Sequence, residues 1–345
     1  MQALRLHAPG DLRLEEVPVP VLGPHDVLCQ VLRAGVCSTD LAIYSGEFSG
    51  VATGAVKFPF TPGHEWSGTV SEVGSAVTRF RPGDRVVGDT WVACGQCYSC
   101  LMGTGRCLAG RAVGTVNAWD GAWAEFLVMP ERHLFALPES VNFLAGALVE
   151  PAATALYAVR QAEVGIGDTV LVLGSGPLGL FAARWAKLCG ASHVMLTGRK
   201  EFKLNLGLRL GADQAINTTR EDLADTVRAA VGPEGVDRVI EASGAPELFL
   251  AALDLVRVQG TISLVAFYEH ELTNFQLDAV PLRSITVRGA GGSLGMYEPT
   301  LRMMATGAFD PTPILTGAYP RWDAEKALTF LASGSPDTIK LILEP

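Results

Sequence analysis

Short apolar runs broken by Gly, Pro and Asp fill residues 1 to about 90. Runs at 27–32, 68–73 and 84–88 are separated by turn signals such as Pro24-His25-Asp26 and Arg81-Pro82-Gly83-Asp84. This punctuation predicts a compact, irregular β-barrel-like domain. The pattern changes near 138–150, where Leu148-Val149-Glu150-Pro151 leads into a helical run over 152–161. From there strand-like runs (169–173, 193–197, 215–216, 236–241, 261–265 and 285–289) alternate with helical ones such as 245–256. Alternation of this kind predicts an α/β fold with a doubly wound parallel sheet. The final stretch holds a helix at 299–306 and a strand at 340–343, which returns to complete the first domain. The expected division is 1–148 with 295–345, and 149–294.

Composition narrows the class. A chain of 345 residues exceeds one ordinary core, so two domains are expected. Hydrophobic residues at 48% against 18% charged are those of a globular protein. A formal net charge of −9 argues against nucleic acid or an anionic membrane as the main partner. No run approaches the roughly 18–20 apolar residues of a membrane-spanning helix. The opening MQALRLHAPGDLRLEE lacks a basic segment followed by an apolar one, so a cytoplasmic location is expected. In that reducing compartment the seven cysteines read as metal ligands or buried thiols.

Between the strands at 169–173 and 193–197 lies Gly174-Ser175-Gly176-Pro177-Leu178-Gly179. Gly174 permits a tight turn, Gly176 close approach of a pyrophosphate, and Gly179 close packing of helix on strand. The helix that follows offers N–H groups and positive partial charge to phosphate. A dinucleotide site follows from this context. An NAD site places an acid after the second strand; here stand Thr197-Gly198-Arg199-Lys200. Without that carboxylate, and with Arg199 and Lys200 to pair with a 2′-phosphate, NADP is favoured over NAD. The alternative reading of the two cations is a solvated helix start. Ser243 and Val265 end later strands and are further cofactor candidates at the sheet's C-terminal edge.

Cys94, Cys97 and Cys100, followed by Cys107, can wrap one ion in a closed tetrahedral site of four thiolates, which is structural because no position stays open; the alternative reading is a redox-active thiol cluster. Cys37, His64 and Glu65 supply the ligand types of a second, catalytic zinc, although singly each reads equally as a buried thiol or a satisfied loop residue. Glu150 reads as a first-turn helix charge or as a residue facing a cleft. Cys29 and Cys189 sit in apolar runs and read as core.

Taken in order, Gly35-Val36-Cys37-Ser38-Thr39-Asp40, Gly63-His64-Glu65, the four-cysteine lobe, Val149-Glu150-Pro151 and the 174–179 turn resemble the zinc-containing medium-chain dehydrogenase/reductase family, in its polyol (sorbitol), threonine and sugar-alcohol branch. The resemblance spans essentially the whole chain. It implies a GroES-like β-rich catalytic domain and a Rossmann domain, with two zinc ions per chain. Cys37 and His64 would ligate the catalytic ion, with Glu65 next and Glu150 bound directly or through water. Thr39 would bond the substrate oxygen and start a proton relay, and Asp40 would orient His64. The implied reaction moves a hydride between NAD(P) and a secondary alcohol of a small hydroxylated molecule, a polyol, sugar or (amino)cyclitol. A threonine-type substrate is the alternative within the enzymes, and a non-catalytic NADP-binding zinc protein the alternative outside them. A homodimer or homotetramer is implied as well. Three positions depart from the family's pattern: Ser38 replaces a glycine, the gap before Cys107 is one residue short, and Gly198-Arg199 replaces the acid.

Overall fold

The structure is a computed structural model and describes residues 1–103, 107, 109–269, 271–273 and 275–345. Strands β1 (Gln2–Ala8) and β2 (Asp11–Glu16) form an antiparallel hairpin. Its turn carries Pro9 and then Gly10 at φ +75°, the pairing that a tight turn with one left-handed residue selects. The long strand β3 (Asp26–Val36) buries Val27, Cys29, Val31, Ala34 and Val36. A helix, Ser38–Ser45, leads on to β4 (Trp66–Val73) and β5 (Arg85–Gly88). Short β6 (Trp91–Val92) and β7 (Arg111–Ala112) pair beside the cysteine lobe, and β8 (Phe126–Pro130) and β9 (Leu134–Ala136) follow.

The chain then enters a second unit. Strands β10 (Thr169–Leu173), β11 (His193–Gly198), β12 (Gln214–Asn217), β13 (Val236–Glu241), β14 (Val256–Leu264) and β15 (Thr286–Gly289) form one parallel sheet in the order β12-β11-β10-β13-β14-β15. Successive strands run outward from β10 in both directions. That is the doubly wound arrangement, whose ligand site lies beyond the strands' carboxyl ends. Val170, Leu171, Val172 and Leu173 are all fully buried, as a central strand covered on both faces requires. Burial of one such side chain stabilises by roughly 1.5–3 kcal/mol.

Strands β16 (Leu315–Pro320) and β17 (Lys340–Glu344) belong to the first unit, which comprises Met1–Glu150 and Tyr297–Pro345; the second comprises Pro151–Met296. The first unit's main sheet runs β16-β17-β3-β4-β5-β9, with β8 also paired to β3. Strand β3 is thus flanked by β4, which follows it closely in sequence, and by the last strand of the chain.

Two helices start earlier than their expected ranges. The helices Val149–Gln161 and Tyr297–Ala305 carry Pro151 and Pro299 inside their first turns. Proline is tolerated there because first-turn N–H groups have no intrahelical partner. Glu150 thereby becomes a helical residue. Strand β14 starts at Val256 rather than Thr261, through a register shift against β13 in which Gln259 takes φ +60°. No helix among the described residues is long and apolar enough to cross a membrane.

Candidate metal centre and nucleotide site

The antiparallel pairing of β3 with β4 sets Ala34 opposite Trp66, and Gly35 N–H donates to Glu65 C=O at 2.8 Å. Cys37, just past the end of β3, therefore stands beside His64 and Glu65, just before β4. Their ligand atoms lie within 4.8 Å of one another. Cys37 caps the helix Ser38–Ser45, and its N–H donates to Asp40 Oδ2 at 2.8 Å. Asp40 Oδ1 faces His64 Nδ1 at 3.4 Å, so one buried carboxylate steers both neighbours. Burial works against charging His64, but Asp40 and Cys37 outweigh it and raise its pKa well above the ordinary value. Thr39 Oγ1 lies 3.8 Å from the Cys37 sulfur, while Ser38 is exposed.

A residue that sequence reasoning missed completes the cluster. Strand β17 pairs antiparallel with β3, Leu341 opposite Val36, which brings Lys340 across from Cys37. Its ammonium donates to Glu65 Oε1 at 2.6 Å and to Val36 C=O at 3.3 Å. Lys340 and Glu65 are only 2% and 1% exposed. Glu65 Oε2, His64 Nδ1 and Asp40 Oδ1 are buried with no hydrogen-bond partner. His64 Nδ1 and Asp40 Oδ1 face each other, whereas Glu65 Oε2 faces no protein group. A buried carboxylate oxygen beside a thiol fits a bound cation, because leaving it unpaired costs about 1–3 kcal/mol. Glu150 is not in the three-residue group; it occupies the first turn of its helix and acts on Lys340 and Tyr297 through its charge.

The four cysteines converge as well. Sulfur–sulfur distances are 3.5 Å for Cys94–Cys107, 3.9 Å for Cys94–Cys100, 3.5 Å for Cys97–Cys100 and 3.7 Å for Cys97–Cys107. A tetrahedron with metal–sulfur bonds of about 2.3 Å has edges of about 3.8 Å, so the sulfurs fit zinc. The shortened gap before Cys107 does not keep it from closing the set. N–H groups of Gln96 and Cys97 pull the Cys94 thiol down to about 6, whereas desolvation pushes Cys100 up to about 11.

In the second unit β10 ends at Gly174, whose φ of +106° favours glycine. A β-carbon on Gly179 would lie 1.8 Å from Gly174 C=O, whereas one on Gly176 would meet nothing within 4 Å. Gly176 therefore leaves an open cradle at the start of the helix Pro177–Leu188, where no side chain caps the N-terminus. Leu178 lies in that helix's first turn and Ser175 is buried beside the end of β11. A β-carbon on Gly198 would stand 2.2 Å from Ser175 Oγ, so any side chain here has first to displace that hydroxyl. Arg199 and Lys200 are exposed, and the next acid, Glu201, is committed to Asn217 and Arg220.

Ser243 is arranged by a group the sequence did not flag. Fully buried Glu241 accepts from Ser243 N–H at 2.8 Å, from the Ser243 hydroxyl, from Gly244 N–H at 3.3 Å and from the Tyr268 hydroxyl. Burial and this carboxylate raise the Tyr268 pKa. Val265 N–H donates to Glu241 C=O, and its side chain is buried.

Comparison with known proteins agrees with both halves. The alcohol dehydrogenase GroES-like domain profile matches residues 23–139, and the zinc-binding dehydrogenase profile matches 177–306. L-threonine 3-dehydrogenase of Edwardsiella ictaluri is 32% identical over 337 residues, 97% of each chain. A zinc-binding dehydrogenase structure from Sinorhizobium meliloti 1021, bound to NADP, superimposes with a TM-score of 0.91 at 30% identity, covering 100% of this chain and 99% of that one. The alcohol dehydrogenase of Thermus sp. ATN1 gives 0.91 at 29% identity, with the same coverage.

Proposed function

This chain belongs to the zinc-containing medium-chain dehydrogenase/reductase family and is an oxidoreductase, and from that premise we propose that it moves a hydride between NADP and a secondary alcohol of a polyol, sugar or (amino)cyclitol. The observation that carries the reading is the convergence of Cys37, His64 and Glu65, with the buried Glu65 Oε2 facing no protein group. A scaffold would have no use for such a set.

Cys37, His64 and Glu65 Oε2 hold the catalytic zinc in this reading, and Cys94, Cys97, Cys100 and Cys107 the structural one. When bound, zinc lowers the proton affinity of a substrate hydroxyl, and the nicotinamide takes or gives the hydride. Asp40 fixes the Cys37 backbone and faces His64, which holds both ligands in place. In this reading the Thr39 hydroxyl, 3.8 Å from the Cys37 sulfur, takes the substrate proton outward. Gly174, Gly176 and Gly179 let the backbone close on the pyrophosphate. Arg199 and Lys200 pair with the 2′-phosphate, a preference in keeping with the NADP-bound structural neighbour.

A threonine-type amino alcohol is the second reading, supported by relatives named L-threonine 3-dehydrogenase. Nicotinamide absorbance across polyols, cyclitols, aminocyclitols and threonine, with NAD and NADP, decides between them. Two zinc ions per chain and a chelator-sensitive signal support the enzyme. One ion and silence across the panel would move a non-catalytic NADP-binding zinc protein to the front. Sedimentation of the same preparation reads whether the chain forms a homodimer or homotetramer.

A further inference from the structure

We infer that Lys340 is a positioning residue of the metal centre: by holding Glu65 Oε1 it leaves only Oε2 to a metal, and so keeps one coordination position free for substrate. The inference rests on the reading of Cys37, His64 and Glu65 as the catalytic zinc ligands.

Lys340 is held tightly enough to act in this way. Its strand is locked to β3 by the Leu341–Val36 pairing, and its ammonium bonds both Glu65 Oε1 at 2.6 Å and Val36 C=O at 3.3 Å. Such a pair is a poor device for stability alone. Removing both charges from water costs several kcal/mol per ion, and a well-packed hydrophobic replacement is often neutral or better. The surroundings show what the cation does instead. Cys37, Glu65 and Glu150 all act on Lys340 through their charge, and Asp40 stands behind His64. Glu65 divides its two oxygens between different tasks, Oε1 to the ammonium and Oε2 to no protein group. Without the ammonium, the metal becomes the cation for both oxygens. A second carboxylate oxygen on the ion would occupy the position that a catalytic site keeps open.

The test compares purified wild type with Lys340→Met and Lys340→Arg. Zinc per chain is counted first, then the affinity of the more weakly held ion is measured against a chromophoric chelator. Cobalt(II) in place of zinc reports coordination, because its visible band weakens as ligands are added beyond four. Lys340→Met is expected to bind the ion more tightly than wild type, against the loss of about ten-fold or more that removing an ordinary outer-shell partner brings, with a weaker cobalt band and a fall in kcat larger than any change in KM. Lys340→Arg keeps the charge and is expected to shift affinity and cobalt band less than Lys340→Met does. A purely structural lysine predicts the opposite sign for Lys340→Met, unchanged or weaker zinc, and that result overturns the inference. Should Lys340→Met fail to fold, the neutral double variant Glu65→Gln with Lys340→Met is compared with Glu65→Gln alone. With no Glu65 carboxylate left to turn onto the ion, the double variant should show none of the weakening of the cobalt band expected of Lys340→Met, and a weakened band there rejects the idea. Wild type holding one zinc per chain would sink the catalytic-centre reading and this inference together, whereas two ions with no tightening in Lys340→Met would sink the inference alone.

Discussion

Gly35 leaves room for the Glu65 carboxylate: a β-carbon at position 35 would stand 1.9 Å from Glu65 Oε2. Both are held by β3 and the strand beside it, with Gly35 N–H bonded to Glu65 C=O at 2.8 Å. Gly35→Ala should push the carboxylate away from Cys37 and His64 while costing about 1–3 kcal/mol of stability, as one extra methyl in a packed place does. The expected outcome is a folded protein whose zinc content falls from two to one and whose activity is lost. Full zinc and full turnover would show that Glu65 need not sit where it does.

Gly198 and Ser175 are matched in the same way in the nucleotide unit, where a β-carbon on Gly198 would meet Ser175 Oγ at 2.2 Å. Gly198→Asp should lower kcat/KM with NADP at least about ten-fold, or about 1.4 kcal/mol. Alone it should gain little with NAD, because the new side chain has first to displace the Ser175 hydroxyl. Combined with Ser175→Gly it should turn the ratio of NAD to NADP efficiency in favour of NAD. Undiminished use of NADP by the single variant would remove Gly198 from cofactor choice.

Neighbouring sulfurs of the four cysteines stand 3.5 to 3.9 Å apart, the spacing that one four-coordinate ion would need. Cys100→Ser should therefore lose one zinc, because closed thiolate sites depend on all four donors. Structural zinc binding is folding free energy, so a fall in Tm of at least about 5 °C is expected by differential scanning calorimetry. Unchanged zinc content would mean that the lobe is held together some other way.

Asp237 ties the start of β10 to β13. Its Oδ2 accepts from Thr169 N–H at 2.8 Å and the Thr169 hydroxyl at 2.7 Å, and Oδ1 pairs with Arg257. Burial pulls against ionisation, yet these donors outweigh it and hold the carboxyl below its ordinary value of 3.8. A depressed folded-state pKa contributes stability that is present above 3.8 and lost as pH falls through the lower folded value. Asp237→Asn should cost about 1–3 kcal/mol near neutral pH. The difference in Tm between the two proteins should shrink on acidification from pH 6 to about 3. A constant gap over that range would assign the loss to packing rather than charge.

The parts of the site legible in the sequence are those in which chemistry and spacing are local. The glycine turn could be read because strand, turn and helix are consecutive, and Gly174 and Gly179 meet within a few residues. The cysteine lobe could be read for the same reason. Cys37, His64 and Glu65 needed the order of several motifs, because nothing in their spacing says that β3 and β4 bring them side by side. The helix starts at Val149 and Tyr297 were misread by a few residues, since a proline looks like a boundary until its place in the first turn is known.

Lys340 and Glu241 left no signal at all. Lys340 opens a short apolar strand and reads as a surface end; its partner is 275 positions away and meets it only because β17 pairs with β3. Glu241 ends a parallel strand and reads as polar edge, yet it is fully buried and holds the turn at Ser243. By itself the chain's sequence determined the family, the two-part architecture and the strand, glycine turn and helix at 169–188, because each rests on residues that act through neighbours in sequence or through their own chemistry. Which carboxylate oxygen is held, and by which cation, was decided only by tertiary structure, because strand register and burial, not spacing along the chain, bring those charges within hydrogen-bond distance.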